Sequence, residues 1–166
     1  NYQDTLVIIK MNVLHDIKQR KAANDLINEY FDNPAVVMEV IHKSLDLEDY
    51  SRVEKLAKKG LKQGYKKNIK LELEEALFQV AFLKKDATKI IGLAEKRFLE
   101  TLNYKYLEIC KSYYSGDWNI YLNTVIEKVK LLPYSILKRD VLAEIFHKES
   151  KTKSLLELIQ SLQSLD

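Results

Sequence analysis

From Ile69 to Leu99 the chain reads IKLELEEALFQVAFLKKDATKIIGLAEKRFL. The stretch predicts two antiparallel helices joined at Lys84-Lys85-Asp86. In the first, Leu73, Ala76, Leu77, Phe78, Val80, Ala81, Phe82 and Leu83 leave almost no polar side, the pattern of a helix covered on more than one face. In the second, Ile90, Leu93, Ala94 and Phe98 form a single apolar stripe. One hairpin of this kind cannot bury what it presents, so it requires similar hairpins on both sides.

Composition agrees with a helical chain. Four Gly and two Pro in 166 residues are too few for the turns of an all-β fold or the strand–helix loops of an α/β fold. The length suits one domain, residues 1–166, with a sizeable core. Lysine and arginine number 27 and aspartate and glutamate 24, leaving a net charge of +3. That balance does not mark a nucleic-acid binder, which carries a large basic excess. Cys110 is the single cysteine, which excludes a disulfide framework and a thiolate zinc site. A lone thiol suits a reducing, cytoplasmic setting. No apolar run reaches membrane-spanning length, and Leu6–Ile9 is too short for a signal-peptide core. The pattern starts in mid-stride at Asn1, as expected of a fragment of a longer protein.

Outward from the central hairpin, the same grammar recurs. Helices are expected at about 3–18, despite the β-branched run Val7-Ile8-Ile9, and at about 21–31. Asp32-Asn33-Pro34 is the sharpest boundary, with Asn33 as the cap and Pro34 in the first position of a helix to about Leu45. Further helices are expected at about 102–114 and 134–148, the former ended by a glycine stop at Ser115-Gly116-Asp117. Helix starts at Asp49, Asp86, Asp117 and Lys151 are separated by 37, 31 and 34 residues. Four places into each come Val53, Ile90, Tyr121 and Leu155; eight places in come Ala57, Ala94, Val125 and Ile159. Only Thr124, seven places in, and Gln163, twelve places in, break the apolar rule. A period near 34 with helix–turn–helix content marks a helical repeat, here five hairpins. The tail, 155–165, with polar Gln160, Ser161, Gln163 and Ser164, would form a closing cap.

Asp49-Tyr50-Ser51-Arg52-Val53-Glu54-Lys55-Leu56-Ala57, with Gly60 following, resembles a tetratricopeptide-type repeat. The resemblance implies an all-α, right-handed α-solenoid-like stack of five antiparallel hairpins. That family has alanine where this chain has Val53, Ile90, Tyr121 and Leu155, which implies wider helix spacing. Three further segments resemble the helical region that accompanies SWIM zinc fingers in some bacterial proteins. They are Asn33-Pro34-Ala35-Val36 with Leu47-Glu48-Asp49-Tyr50, Glu74-Glu75-Ala76-Leu77 with Lys85-Asp86-Ala87, and Tyr104-Lys105-Tyr106-Leu107 with Ser115-Gly116-Asp117-Trp118. The finger's own ligands are absent, so its metal does not carry over. The resemblance implies an accessory module whose partner is a protein.

Chemistry is sparse. Glu39-x-x-His42 and Glu144-x-x-His147 match a di-iron bundle motif. However, Asp140, Glu144 and Lys148 recur every four residues opposite Leu137, Val141 and Ile145, as a solvated ion-paired stripe does, and Glu39 is placed to pair with Lys43. His15 has no second ligand at metal spacing, and Cys110 sits between Leu107 and Tyr114 on an apolar face. No phosphate loop or nucleophile elbow occurs, so neither an enzyme, a metal nor a cofactor is expected. Two surface features remain. Lys55, Lys58, Lys59, Lys62 and Lys66, continued by Lys67 and Lys70, form a basic stripe that reads first as a solvated face, diluted by Glu54 and Glu72, and second as a surface for phosphates. Tyr104, Tyr106, Tyr113, Trp118 and Tyr121, with Tyr114, crowd one hairpin, and two readings are open: packing within the stack, or a protein or peptide groove. A groove lined by the first helix of each pair is expected, with protein or peptide as partner, nucleic acid as the alternative, a small-molecule sensor as a third reading, and no membrane.

Overall fold

The structure, a computed structural model, describes residues 2–163; the side chains of Gln3, His15, Asp16, Arg20 and residues 161–163 lie outside that description. The readings placed on His15, Ser161, Gln163, Ser164 and Leu165 therefore fall outside it. The described residues form ten helices and no strand. They are α1 (Tyr2–Asp16), α2 (Arg20–Glu29), α3 (Pro34–Asp46), α4 (Tyr50–Leu61), α5 (Lys67–Leu83), α6 (Ala87–Thr101), α7 (Tyr104–Tyr113), α8 (Trp118–Leu131), α9 (Ile136–Lys148) and α10 (Thr152–Gln163). The protein is all-α. No helix among the described residues is long and apolar enough to cross a membrane.

Local chemistry sets the helix starts. Asn33 Oδ1 accepts from the Ala35 N–H at 3.0 Å, with Pro34 in the first turn. Asp49 accepts from Arg52 N–H at 3.2 Å and Asp86 from Lys89 N–H at 3.1 Å. Asp117 accepts from both Asn119 and Ile120, at 2.9 and 3.2 Å. All three expected aspartate caps are in place. The residue before the cap position is left-handed at Lys18, Glu48, Lys85 and Ser150, with φ between 54° and 60°. The same turn therefore opens α2, α4, α6 and α10.

The fourth expected turn differs. No glycine has positive φ, so Gly116 is not the left-handed stop that its position suggests. A Cβ there would stand 2.9 Å from the Tyr114 hydroxyl oxygen; the glycine makes room for that ring. Two helices also begin later than expected. Leu102 takes a left-handed φ of 52° and Asn103 caps α7, while Ser135 caps α9 by accepting from Lys138 N–H at 3.1 Å.

Two compact units divide the chain, one up to Lys84 and one from Lys85. In the first, α1 packs on α2 and α3, α3 on α4 and α5, and α4 on α5. Val36, Val37, Ile41, Val53, Ala57 and Leu73 are wholly buried there. Burial of a Val or Ile side chain contributes about 1.5–3 kcal/mol, so two such side chains outweigh the ~1–2 kcal/mol cost of a left-handed turn residue. Gly60 lets α4 approach α5, since a Cβ would meet Leu73 Cδ1 at 2.8 Å and the Tyr65 ring at 3.3 Å. In the second unit, α6 packs on α7 and α8, α7 and α8 on α9, and α9 on α10. Its core includes Ile90, Phe98, Leu107, Leu122, Val129 and Ile145.

The repeat positions are filled unevenly. Val53, Ile90, Ala57, Ala94 and Val125 are buried as expected, and Thr124 is exposed with its hydroxyl donating to the Ile120 carbonyl. Leu83 at 50% and Ile159 at 46% exposure are departures from the apolar pattern. Leu83 is the last residue of α5 and Ile159 lies within α10, the last helix of each unit in chain order.

Candidate functional site

The aromatic residues of the second unit are organised by two carboxylates. Glu149, at the C-terminal cap of α9, has a side chain only 7% exposed. It accepts from the Tyr104 hydroxyl at 2.8 Å, the Trp118 indole N–H at 2.9 Å and the Lys111 ammonium at 2.9 Å. Burial would raise its carboxyl, but the donors Lys111, Trp118 and Tyr104 overcome this and hold it below the ordinary range. Glu95 of α6 plays the same part for Tyr121, whose hydroxyl donates at 2.6 Å, and for Lys128 at 2.5 Å. Burial likewise opposes its ionisation, and the Lys128 and Tyr121 bonds again lower its carboxyl. Burial first, then the bonded carboxylate, pushes both Tyr104 and Tyr121 well above the ordinary phenol value.

These bonds divide the predicted aromatic surface. Tyr104, Trp118 and Tyr121 have their polar ends turned to carboxylates inside the unit, and the Trp118 and Tyr121 rings lie 5.5 Å apart. Tyr106 is half-buried, with Lys105 Nζ 5.3 Å from its ring centre, and Tyr113 is 39% exposed. Cys110 is buried, with its thiol 3.7 Å from the Ile91 carbonyl, and burial pushes its pKa up, which disfavours the thiolate.

The lysine stripe does not follow one helical face. Lys62 ends α4 and Lys66 precedes α5, so the turn between them breaks the run before Lys67 and Lys70. Lys58 pairs with Glu54 at 3.4 Å, and Glu54 also pairs with Lys84 at 2.9 Å. Lys55 and Lys59 instead face a groove of about 880 Å³ between α2 and α4. Arg52, Lys55 and Lys59 line one wall on successive turns, and Asn24 and Asn28 line the other. Arg52 Nη2 donates to Asn24 Oδ1 at 3.2 Å, and Lys59 Nζ to Asn28 Oδ1 at 3.0 Å. Lys59 Nζ also lies 3.8 Å above the Phe31 ring. Ile27 and Leu56 form the floor and Leu47, 54% exposed, the rim.

No protein-family model matches the chain, and neither a curated protein nor a solved structure does.

The groove lies between α2 and α4, the second helices of their pairs. Asn24 and Asn28 were not singled out in the sequence; their four-residue spacing on an otherwise apolar-faced helix was the available signal. His42, Glu144 and His147 are exposed, and among the described residues no three potential ligands converge on a metal position. Lys148 pairs with Glu144 at 3.1 Å and with Glu108 at 3.3 Å, as a solvated stripe does, whereas Lys43 reaches across to Asn12 at 3.1 Å.

Proposed function

We propose that the chain is a non-catalytic helical-repeat scaffold for protein or peptide interaction, its hairpins stacked as a right-handed, tetratricopeptide-like solenoid. The observation that carries the reading is the repeated turn. Glu48-Asp49, Lys85-Asp86 and Ser150-Lys151 each place a left-handed residue before the cap position of a second-of-pair helix. Units built from one such supersecondary element present long lateral grooves, which suits them to extended partners. The likeness of segments between Asn33 and Trp118 to the helical region of bacterial SWIM zinc-finger proteins supports an accessory role beside a finger, with any nucleic-acid contact made there.

The test is a displayed peptide library panned against the chain, followed by hydrogen exchange of the bound form. Binders that protect helical faces lining a groove support the scaffold. A chain that selects no peptide, or one that turns over a substrate, overturns it. The alternative, a nucleic-acid module using Lys55 to Lys70, loses support from the break at Lys62–Lys66 and the Lys58–Glu54 pair. Duplex DNA bound at low salt and released by charge reversal at Lys58 and Lys62 would favour it.

A further inference from the structure

Helix α1 is apolar on two sides. Val7 and Met11 are buried in the core of the first unit, and Ile8 and Leu14 pack partly against it. Asn33 Nδ2 donates to Asp4 Oδ1 at 2.6 Å and Lys43 Nζ to Asn12 Oδ1 at 3.1 Å, and these bonds fix which way the helix is turned. Its outer side then carries Tyr2, Leu6, Ile9 and Val13, with Ile17 just beyond its end, each between 47% and 78% exposed. From Tyr2 to Val13 the steps are four, three and four residues, the spacing of a coiled-coil seam. No other helix shows more than two exposed large apolar side chains among the described residues.

We infer that this seam is a homodimer interface, with α1 of a second copy lying antiparallel along it. The stripe exposes on the order of 500 Å², so two copies bury about 1,000 Å² between them, the least that a specific interface needs and enough for a weak, concentration-dependent dimer. A seam takes a partner helix of the same spacing, and α1 is the helix of this chain that has it. In the antiparallel alignment Leu6 meets Ile9 of the second copy and Tyr2 meets Val13, so the largest side chain faces the smallest and the layers fill evenly. A parallel pair would stack Tyr2 on Tyr2 and Val13 on Val13, and would align the two helix dipoles that the antiparallel pair opposes. A bilayer fits less well. An interfacial helix carries a basic polar side, whereas the side of α1 opposite the seam lies in the core, and Lys10 and Lys18 are the described cations near the stripe.

This dimer needs no peptide partner, so its test is separate from that of the scaffold. Sedimentation equilibrium of the whole chain from about 1 to 500 μM should show monomers giving way to dimers. Ile9→Lys and Leu6→Glu should each weaken association about tenfold, because each places a charge in the seam. Ile120→Lys makes the same change on an exposed isoleucine of α8, in the other unit, and should leave association unchanged. An equimolar mixture of the Leu6→Glu and Ile9→Lys chains should associate more tightly than either chain alone, since the antiparallel alignment sets the new acid against the new base. Recovery in the mixture also shows that both variants are folded. Val13→Thr keeps the side chain's shape and should weaken association several-fold, which reads out the seam without a charge. A chain that stays monomeric throughout overturns the dimer, as does association that survives Ile9→Lys and Val13→Thr or that falls equally with Ile120→Lys. A mixture that recovers nothing overturns the antiparallel seam. Monomers that bind phosphatidylserine vesicles and lose that binding with Ile9→Lys also overturn it, in favour of a bilayer.

Discussion

Gly60 and Gly92 both sit inside helices, yet they are under opposite constraints. A Cβ at Gly92 meets nothing within 4 Å, and the backbone there is ordinary helix. Gly92→Ala should therefore stabilise the second unit by about 0.5–1 kcal/mol, because alanine gives up less backbone freedom on folding. At Gly60 the added methyl meets Leu73 Cδ1 at 2.8 Å, and Leu73 is wholly buried, so its methyl has nowhere to move. Overpacking costs about 1–3 kcal/mol and outweighs the same helix gain. Gly60→Ala should lower the denaturant midpoint while Gly92→Ala raises it. Equal responses would mean that α4 and α5 do not approach as described.

At the scale of the helix, what reads from sequence is what the chain does to its own near neighbours. Asp49, Asp86 and Asp117 cap because a short carboxylate reaches N–H groups two or three residues on, a contact fixed by spacing alone. Val53, Ile90 and Ala94 are buried because a 3.6-residue period puts them on one face. Where a helix start rested on a non-aspartate cap, at Asn103 and Ser135, the apolar residues Leu102 and Tyr134 just before it drew the expected boundary too early. The groove and the two carboxylate hubs were illegible for a different reason. Lys59 and Asn28 are 31 residues apart and Tyr104 and Glu149 are 45 apart, and no periodicity links such pairs. Capping also yields a paired expectation. Asp117 satisfies two N–H groups, so Asp117→Ala should cost about 1 kcal/mol. Lys66 stands at the cap position of α5 with no side-chain bond, so Lys66→Ser should recover a similar amount. Thermal unfolding of the two variants checks both signs.

Across the whole chain, the two depressed carboxyls fall in the same unit. Glu95 and Glu149 ionise more readily folded than unfolded, so the stability they confer is present above their ordinary value of 4.5 and lost as pH falls through the folded value. Hydrogen exchange over a falling pH series should show α7–α9 losing protection below about pH 4.5, with Glu149→Gln flattening that dependence. Retention of protection in α7–α9 into stronger acid would mean that the hubs contribute little. Glu149 has one more consequence. Its donors Tyr104 and Lys111 precede the exposed turn at Ser115, Gly116 and Asp117, whereas the carboxylate itself follows it. A peptide bond severed in that turn leaves a fragment bearing the hydroxyl and ammonium still clasped by a fragment bearing the acid. Covalent continuity is there a matter of synthesis, and the cut pieces keep their own reason to stay together.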